Sequence, residues 1–293
     1  MHSIKLRLTP KYKVAFEAIG TQWSIESREK LSSKLITTIN ERIDVFDATY
    51  SRFRKDSLVT KVSEQAGIYA FPADAQKLFA FYAQLYELTG GKVTPLIGSV
   101  LENAGYDAEY SFVSKRQKET PRFNEALIIN GSIIEAVQPV TIDVGAAGKG
   151  YLVDTICALL DDAGITDYVV DASGDLRHKG LIENKVGLED PREPGKVIGV
   201  IDVLDKSICA SAVNRRRWGR GLHHIFDPDT KTPTDKIIAT WVIADSAVIA
   251  DGLATALFFS EPVTLRNTFN YEFLRMHSTG AIDYSPAFEG KLF

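Results

Sequence analysis

Residues 143–172, DVGAAGKGYLVDTICALLDDAGITDYVVDA, contain a turn of small residues, a helical pattern and a strand pattern in direct succession. Glycine and alanine fill most of residues 145–150, and apolar residues at helical spacing follow. Residues 149–162 are therefore predicted to form a helix that ends near Gly164. The run at 168–172 is short and apolar, which predicts a buried strand. Small residues at the start of the helix allow close approach of another group to the backbone.

The rest of the chain also mixes strand and helix patterns, without the regular alternation of a doubly wound sheet. Hairpins are predicted over residues 13–27, with a break at Gly20, and around Asn130-Gly131. Further helices are predicted at residues 29–46, 73–88, 246–259 and 261–269, and further strands at residues 197–203 and 238–244. This order favours an α+β fold of mixed, largely antiparallel sheets flanked by helices.

No linker divides the chain, so residues 1–293 are expected to form one compact unit, a single domain. Residues 104–123 are polar and rich in turn residues, and we expect them to be an inserted loop. Cys157 and Cys209 form no CxxC or Cys/His motif. Because Cys157 lies in an apolar helical pattern, it is predicted to be a buried free thiol.

The composition limits the classes of partner. Hydrophobic residues make up 45% of the chain and charged residues 25%, with a formal net charge of -4, as in ordinary soluble globular proteins. This charge gives no electrostatic reason to expect nucleic acid or an anionic membrane as partner. No apolar run approaches the roughly 18 residues of a membrane span. Residues 1–5 lack the apolar core of a secretion signal, so we expect a cytoplasmic protein.

The glycine-rich turn is the first candidate site. A helix N-terminus presents free N–H groups that suit an anion, and Lys149 adds a positive charge. The spacing is neither that of a Walker loop nor that of the GxGxxG fingerprint. The alternative is a tight strand-to-helix turn with a solvated lysine.

Asp251 and Thr255 form the second candidate, because residues at i and i+4 share one face of a helix. A carboxylate and a hydroxyl are oxygen ligands of the kind that Mg²⁺ prefers. The alternative is that Asp251 caps a helix and Thr255 packs in a core.

The third candidate is the pair His223-His224. Adjacent residues of a strand point to opposite faces, so at most one of the two imidazoles faces a given site. His224 is a candidate general acid or base, and the alternative is a hydrogen-bonded structural histidine. Asp227-Pro228 follows as a turn signal.

Four runs occur in an order that resembles one known family: IDVGAAGKGYLVD (142–154), ASGDL (172–176), HHIFDPDTKTP (223–233) and ADGLATALF (250–258). They are similar to the FAD:protein FMN transferases, the ApbE-like flavin transferases. Residues 20–23 and 50–57 fit as well, and the resemblance extends from about residue 20 to residue 259. It implies an enzyme that cleaves FAD at its pyrophosphate and transfers FMN to a Ser or Thr hydroxyl of an acceptor flavoprotein. AMP is then the leaving group.

The resemblance also implies roles for individual residues. Asp251, Thr255 and the backbone carbonyl of Ala146 would hold Mg²⁺, with Mn²⁺ as an alternative. His224 would help to deprotonate the acceptor hydroxyl. Contacts with FAD are implied, through side chains or backbone, for Asp143, Lys149, Ile225, Phe53 and Thr94.

Several positions depart from the family pattern. Val93-Thr94-Pro95-Leu96 stands where the family commonly has Phe-Asp-Pro-Thr, so an aspartate is lost there. Lys231 replaces the glycine of the family turn Asp-Pro-x-Thr-Gly. Ser173 replaces a glycine of Gly-Gly-Asp, and Ala210-Ser211-Ala212 replaces Thr-Ser-Gly. Together with the missing leader, these departures suggest a divergent cytoplasmic branch whose acceptor is a soluble flavoprotein.

Two other functions use the same residues. In an FAD pyrophosphatase, water would replace the acceptor hydroxyl and the products would be FMN and AMP. A non-catalytic FAD carrier would keep the pocket alone, but it would need neither a metal site nor a base.

Overall fold

The computed structural model describes residues 12–181, 183–219 and 221–293. The leader prediction, which concerns residues 1–5, lies outside the described residues. The described strands are β1 (Tyr12–Ala18), β2 (Thr21–Ser27), β3 (Gly67–Ala70), β4 (Leu127–Asn130), β5 (Ile133–Ala136), β6 (Tyr168–Asp171), β7 (Asp175–Lys179), β8 (Asn184–Glu189), β9 (Val197–Val203), β10 (Ser207–Ala212), β11 (Arg217–Trp218), β12 (Leu222–His223), β13 (Phe226–Asp227), β14 (Thr232–Pro233), β15 (Ile237–Ala244), β16 (Glu272–His277), β17 (Ile282–Tyr284) and β18 (Lys291–Leu292). The helices are α1 (Ser33–Tyr50), α2 (Leu58–Glu64), α3 (Ala75–Leu88), α4 (Gly98–Asn103), α5 (Phe123–Ala126), α6 (Gly148–Asp162), α7 (Ala247–Ala256) and α8 (Pro262–Arg266).

The strands form one large sheet and several small ones. The large sheet has eight strands in the order β1-β2-β6-β7-β10-β15-β16-β17, and two three-stranded sheets have the orders β18-β9-β8 and β3-β5-β4. All pairings among the described strands are antiparallel. The predicted α+β class, with largely antiparallel sheets flanked by helices, is therefore confirmed.

The large sheet is buried on both faces. Along β15, Val242 and Ala244 belong to the core shared with the helices, whereas Ala239 and Trp241 belong to a second core shared with β8 and β9. Neighbouring side chains of a strand point to opposite faces, which explains this division. The helices α1, α6 and α7 thus lie on one face, and the strand pair β8–β9 covers the other.

Most local predictions are confirmed. β1 and β2 form the first predicted hairpin, with Gly20 at a φ of 72°. β4 and β5 form the second, although Asn130 pairs with Ile133, so the two loop residues are Gly131 and Ser132. The helix predicted at residues 29–46 corresponds to α1 (Ser33–Tyr50). It starts later than predicted because the Ser32 side chain caps it by accepting from the Leu35 amide.

The predicted loop at residues 104–123 has no strand or helix before α5 begins at Phe123. The predicted buried thiol at Cys157 is also confirmed, since both cysteines are free and buried. Among the described residues, no helix combines the length and the apolarity needed to cross a bilayer.

The helices α6 and α7 are tied together at their starts. In α6, the Asp154 carboxylate accepts from the amides of Ala247 and Val248, both at 2.8 Å, and so caps α7. In return, the Asp251 carboxylate of α7 accepts from the Gly150 amide in the first turn of α6 at 2.8 Å. A carboxylate at a helix start is favoured by the free amides and the helix dipole. This double tie fixes Asp251 against the glycine-rich turn.

Candidate active site

Two neighbouring cavities form a cleft along the glycine-rich turn. The larger one, about 330 Å³, is here called the aromatic cavity because its lining includes Phe46, Tyr50, Phe53, Tyr106 and Tyr110. The smaller one, about 80 Å³, is called the histidine cavity and is lined in part by Thr94, Ala146, His224, Ile225 and Thr255. The two share the lining residues Tyr106, Asp143, Gly145 and Arg216. The shared residues define a junction between the cavities.

The structure brings the predicted site residues together, although they come from separate parts of the sequence. Phe53 and Lys149 line the aromatic cavity, and Asp143 lines both cavities. The histidine cavity holds Thr94, Ala146, His224, Ile225 and Thr255. Asp251 is the exception, because it lies beneath the turn, 5% exposed, and lines neither cavity.

Asp143 anchors the turn. One of its oxygens accepts from Arg52 Nε at 2.6 Å, and the other accepts from the Gly145 amide at 2.7 Å. Burial alone would favour the neutral acid, but the Arg52 guanidinium outweighs it and holds the pKa of Asp143 below its usual value. Asp143 is therefore an ionised structural group of the cleft, and both of its oxygens already have protein partners.

Arg52 links Asp143 to the aromatic cavity. It is buried, its Nη1 donates to the Tyr106 carbonyl at 2.8 Å, and its guanidinium lies 4.2 Å from the centre of the Phe53 ring. A guanidinium over a ring face is an attractive cation–π contact. The Phe53 ring also stacks on the Tyr110 ring, with ring centres 5.5 Å apart and an interplanar angle of 7°.

A buried charge cluster lies under the turn. Lys149 forms an ion pair with Asp175, which is 1% exposed, and its Nζ lies 3.5 Å from the Ala172 carbonyl. Burial and the nearby Asp175 carboxylate raise the pKa of Asp251 well above its usual value, although Lys149 opposes the shift. Lys149 thus pairs with Asp175 and acts on Asp251 through its charge, and with 18% of its side chain exposed it is not the solvated lysine of the alternative.

The amides at the start of α6 correct one expectation. They were expected to be free for an anion, but the Gly148 amide donates to the Val144 carbonyl at 2.7 Å and the Gly150 amide donates to Asp251. The Ala147 amide donates to the Tyr82 hydroxyl at 3.1 Å. The close neighbour that requires a small residue at Gly150 is α7. The anion at this helix start is the carboxylate of Asp251.

Oxygen atoms predominate where a metal was predicted. Thr255 Oγ1 lies 3.4 Å from the Ala146 carbonyl oxygen, and both residues line the histidine cavity. Within the described ranges, no group of three His, Cys, Asp or Glu side chains is placed to hold a metal. An ion here would therefore depend on one carboxylate, a hydroxyl, a carbonyl and oxygens of its substrate. With both carboxylates ionised, Asp251 and Asp175 carry one more negative charge than Lys149 balances, which fits a bound cation, and the all-oxygen donor set fits a hard divalent one.

The two histidines have separate surroundings. His223 is buried, with Nε2 at 2.9 Å from the Thr234 carbonyl, and its Nδ1 accepts from the Ile225 amide at 3.3 Å. His224 lies just after β12 and not within a strand, which corrects the strand placement. Of the two histidines, only His224 lines the histidine cavity.

The His224 ring is held neutral. Burial and then the Arg216 guanidinium lower the pKa of His224 to about 3. Its Nδ1 is buried and has no hydrogen-bond partner within the described part of the chain. The ring is therefore uncharged at neutral pH, and its buried Nδ1 has no protein partner that would compete with a substrate group for it.

Two predicted FAD contacts have competing partners. The Ile225 backbone was implied as a contact, but its amide donates to His223 and its carbonyl accepts from the Thr234 amide at 3.0 Å. Thr94 caps a 3₁₀ turn (Pro95–Ile97) by accepting from the Leu96 amide at 3.1 Å. The Thr94 hydroxyl hydrogen and the second lone pair of the Ile225 carbonyl remain available.

Other side chains also line or support the cleft, although the sequence alone does not select them. Asp175 pairs with Lys149, and its only sequence signal was the position in ASGDL. Arg216 lines both cavities, and its only signal was a run of three arginines. Tyr106 stacks on Trp218 with ring centres 5.1 Å apart, and no local pattern marked it.

Comparison with known proteins places this cleft in context. Residues 19–274 match the family model of the ApbE family. The FAD:protein FMN transferase of Escherichia coli K12 is 23% identical over 286 residues, covering 89% of this chain and 82% of that protein. The FAD:protein FMN transferase of Vibrio cholerae is 27% identical over 244 residues, covering 77% and 73%.

Solved structures share the fold. A crystal structure of the ApbE protein from Thermotoga maritima has a TM-score of 0.82 at 24% identity, covering 95% of this chain and 98% of that one. The flavin transferase ApbE from Vibrio cholerae has a TM-score of 0.79 at 21% identity, covering 98% and 99%. Because the family match extends over most of the sequence, the chain belongs to the ApbE family.

Proposed function

We propose that the protein is an FAD:protein FMN transferase. It would cleave the pyrophosphate of FAD, join FMN through its phosphate to a Ser or Thr hydroxyl of an acceptor flavoprotein, and release AMP. The observation that carries the proposal is that the oxygen donors of Ala146 and Thr255 and the neutral His224 imidazole line one cavity, with buried Asp251 next to it. The names of the related proteins support the transfer of FMN from FAD to a protein.

Asp251, Thr255 and the Ala146 carbonyl are the residues that would hold the metal, Mg²⁺ or alternatively Mn²⁺. When bound, such an ion neutralises charge on the phosphate oxygens of FAD. The protein's own contribution is to keep these three oxygen donors in place. The tie between Asp251 and the Gly150 amide does so for the carboxylate.

His224 is the proposed general base. Its neutral imidazole would take the proton of the acceptor hydroxyl while the hydroxyl oxygen bonds to the phosphorus of the FMN half. The bond from that phosphorus to the bridging oxygen breaks, and AMP leaves with the bridging oxygen. General-base assistance of this kind contributes about 10²–10⁴-fold to a rate.

The remaining predicted residues would bind FAD. Phe53 already contacts the Arg52 guanidinium and the Tyr110 ring, so it would contribute apolar wall to a cavity of about 330 Å³, within the usual size of ligand pockets. Lys149 and Asp143 would act mainly as fixed charges, since each has a protein partner. Ile225 and Thr94 would contribute only through the hydrogen-bonding capacity that their protein partners leave.

We also propose that residues 1–293 act as one catalytic domain, as the sequence predicts. A cytoplasmic location and a soluble acceptor stay predictions from the sequence.

The test uses the full chain, FAD and MgCl₂, with an extract of cells that lack this protein as the source of acceptor. Transfer predicts a protein that gains covalent flavin fluorescence, a mass increase of FMN less water on a Ser or Thr, and one AMP per flavin attached. AMP and free FMN without a labelled protein would indicate the pyrophosphatase instead. Tight FAD binding with no AMP at all would indicate the carrier.

A further inference from the structure

Three consecutive arginines between β10 and β12 have three different surroundings. Arg215 pairs with Glu189. Arg217 is exposed at the start of the short strand β11, whose backbone pairs with β12. Arg216, between them, lines both the aromatic and the histidine cavities. The middle side chain therefore enters the cleft while its two neighbours do not.

The backbone at Arg216 is unusual. Its φ is 41°, in the left-handed region that non-glycine residues rarely adopt. Such a conformation costs of order 1–3 kcal/mol and persists only where other interactions or a function maintain it. Here the conformation accompanies a side chain that reaches the junction of the two cavities.

Arg216 differs from the other cations that line the cleft. Arg52 pairs with Asp143, Lys149 pairs with Asp175, and Lys92 pairs with Asp227 at 2.8 Å. Among the described residues, no carboxylate lies within ion-pair distance of the Arg216 guanidinium. The junction therefore holds a positive charge without a protein counter-ion.

The guanidinium lies over the glycine-rich turn. Its Nη1 is 4.0 Å from the point that a Cβ on Gly145 would occupy, next to Ala146 in the chain. Its charge also acts on both sides of the junction, because it opposes protonation of Asp143 and of His224. A ligand that extends through both cavities must pass this group.

We propose that Arg216 is a phosphate-binding residue that contacts a non-bridging oxygen of the substrate pyrophosphate. This inference rests on the proposed function and names the part of the dinucleotide that the junction recognises. A guanidinium presents a planar fork of donors that matches phosphate oxygens in a bidentate contact. The two halves of the dinucleotide would then lie on either side of the junction.

The test measures binding of FAD, FMN and riboflavin by flavin fluorescence, without activity as the readout. Arg216 is exposed in the free protein, and Arg216→Ala is expected to raise the Kd for FAD about tenfold, since a hydrogen bond to a charged group contributes roughly that much. Arg216→Lys should have an intermediate effect because it keeps the charge and loses the fork. Riboflavin, which has no phosphate, should bind all variants alike. Arg217→Ala is the matched control and should behave as the wild type.

The variant Arg216→Gly distinguishes a loss of FAD binding from a loss of protein stability. Glycine adopts a φ of 41° without strain, so its Tm should equal or exceed that of the wild type while FAD affinity falls. Unchanged FAD affinity in Arg216→Ala and Arg216→Gly would overturn the inference, and so would an equal loss for FAD and riboflavin. If the wild type binds FAD but releases no AMP, the proposed function fails and the phosphate contact stands. If the wild type releases AMP and the Arg216 variants bind FAD normally, only the phosphate contact fails.

Discussion

Replacing Gly150 by alanine should disrupt the contact that holds Asp251 in place. A Cβ on Gly150 would lie 2.6 Å from the Ala247 carbonyl carbon and 2.8 Å from Asp251 Cβ, and closer still to the Ala247 carbonyl oxygen. Both neighbours belong to α7, so the helix itself would have to move. The movement would also break the hydrogen bond from the Gly150 amide to the Asp251 carboxylate at 2.8 Å.

The cost has two parts. Overpacking a close contact costs about 1–3 kcal/mol, and leaving a buried carboxyl oxygen without its hydrogen bond costs about 1–3 kcal/mol. Alanine regains up to about 1 kcal/mol through its higher helix propensity. We therefore expect Gly150→Ala to lower the free energy of unfolding by about 2–5 kcal/mol, a large share of the 5–15 kcal/mol typical of domains.

Urea unfolding followed by circular dichroism measures this change, and AMP release from FAD in the presence of MgCl₂ should fall with it. Gly67→Ala is the matched control, because the nearest atom to its Cβ would be a Tyr69 ring carbon at 3.7 Å. Gly148→Ala should be intermediate, since its Cβ would meet the side-chain methyl of Val144 at 2.9 Å. A Gly150→Ala protein with the urea midpoint and AMP release of the wild type would refute the packing argument.

Three further predictions follow from the charges of the cleft. Arg52→Met should lower the free energy of unfolding by about 3–5 kcal/mol because it leaves the largely buried Asp143 carboxylate without its ion-pair partner. Arg54→Met, at exposed ion pairs, should leave the free energy of unfolding nearly unchanged, and equal urea midpoints for the two variants would contradict this. His224→Gln should lower the rate of FMN transfer by about 10²–10⁴-fold with little change in FAD affinity, and a rate within threefold of the wild type would exclude His224 as the base. The pKa of His224 is lowered to about 3, so its contribution to stability is present above the unfolded-state pKa near ~6.5 and is lost as the pH falls toward the folded value. The wild type should therefore lose stability more steeply than His224→Gln between about pH 6.5 and pH 4, as measured by urea unfolding at each pH. Parallel curves for the two proteins would show that the ring titrates normally.

Short-range features of the fold were predictable from the sequence. Gly20, with a φ of 72°, ends one strand and starts the next, and the turn after Asn130 does the same. The helix α6 follows its small-residue start and ends before Gly164, as the local pattern predicts. Such features depend on neighbouring residues alone, which explains why sequence patterns reveal them.

Long-range pairings were not predictable in the same way. Arg52 and Asp143 are 91 residues apart, and nothing in either local pattern shows that one neutralises the other. The same holds for Gly150 and Asp251, which are 101 residues apart. The small residues of the turn predict the close approach of another group, and at Gly150 the structure shows that this group is the helix α7.

The residues of the candidate site likewise fall into those that the sequence selects and those that only the structure reveals. The order of motifs along the chain was enough to select Asp251, Thr255 and His224 through family resemblance. Arg216 was not selected, because its role depends on a left-handed backbone and on a cleft formed by distant segments. A residue that has no motif of its own becomes visible only when the fold places it.

Asp251 is proposed to belong to a metal site that acts on the FAD pyrophosphate. The most direct measurement is AMP release from FAD by the wild type and by Asp251→Asn, in the presence of the acceptor extract, with MgCl₂ or with excess EDTA. Binding of Mn²⁺ by the same proteins, followed by electron paramagnetic resonance, gives a readout of the metal alone. The wild type should release AMP only with metal, and Asp251→Asn should neither release AMP nor hold Mn²⁺. Undiminished AMP release or Mn²⁺ binding by Asp251→Asn would contradict the account.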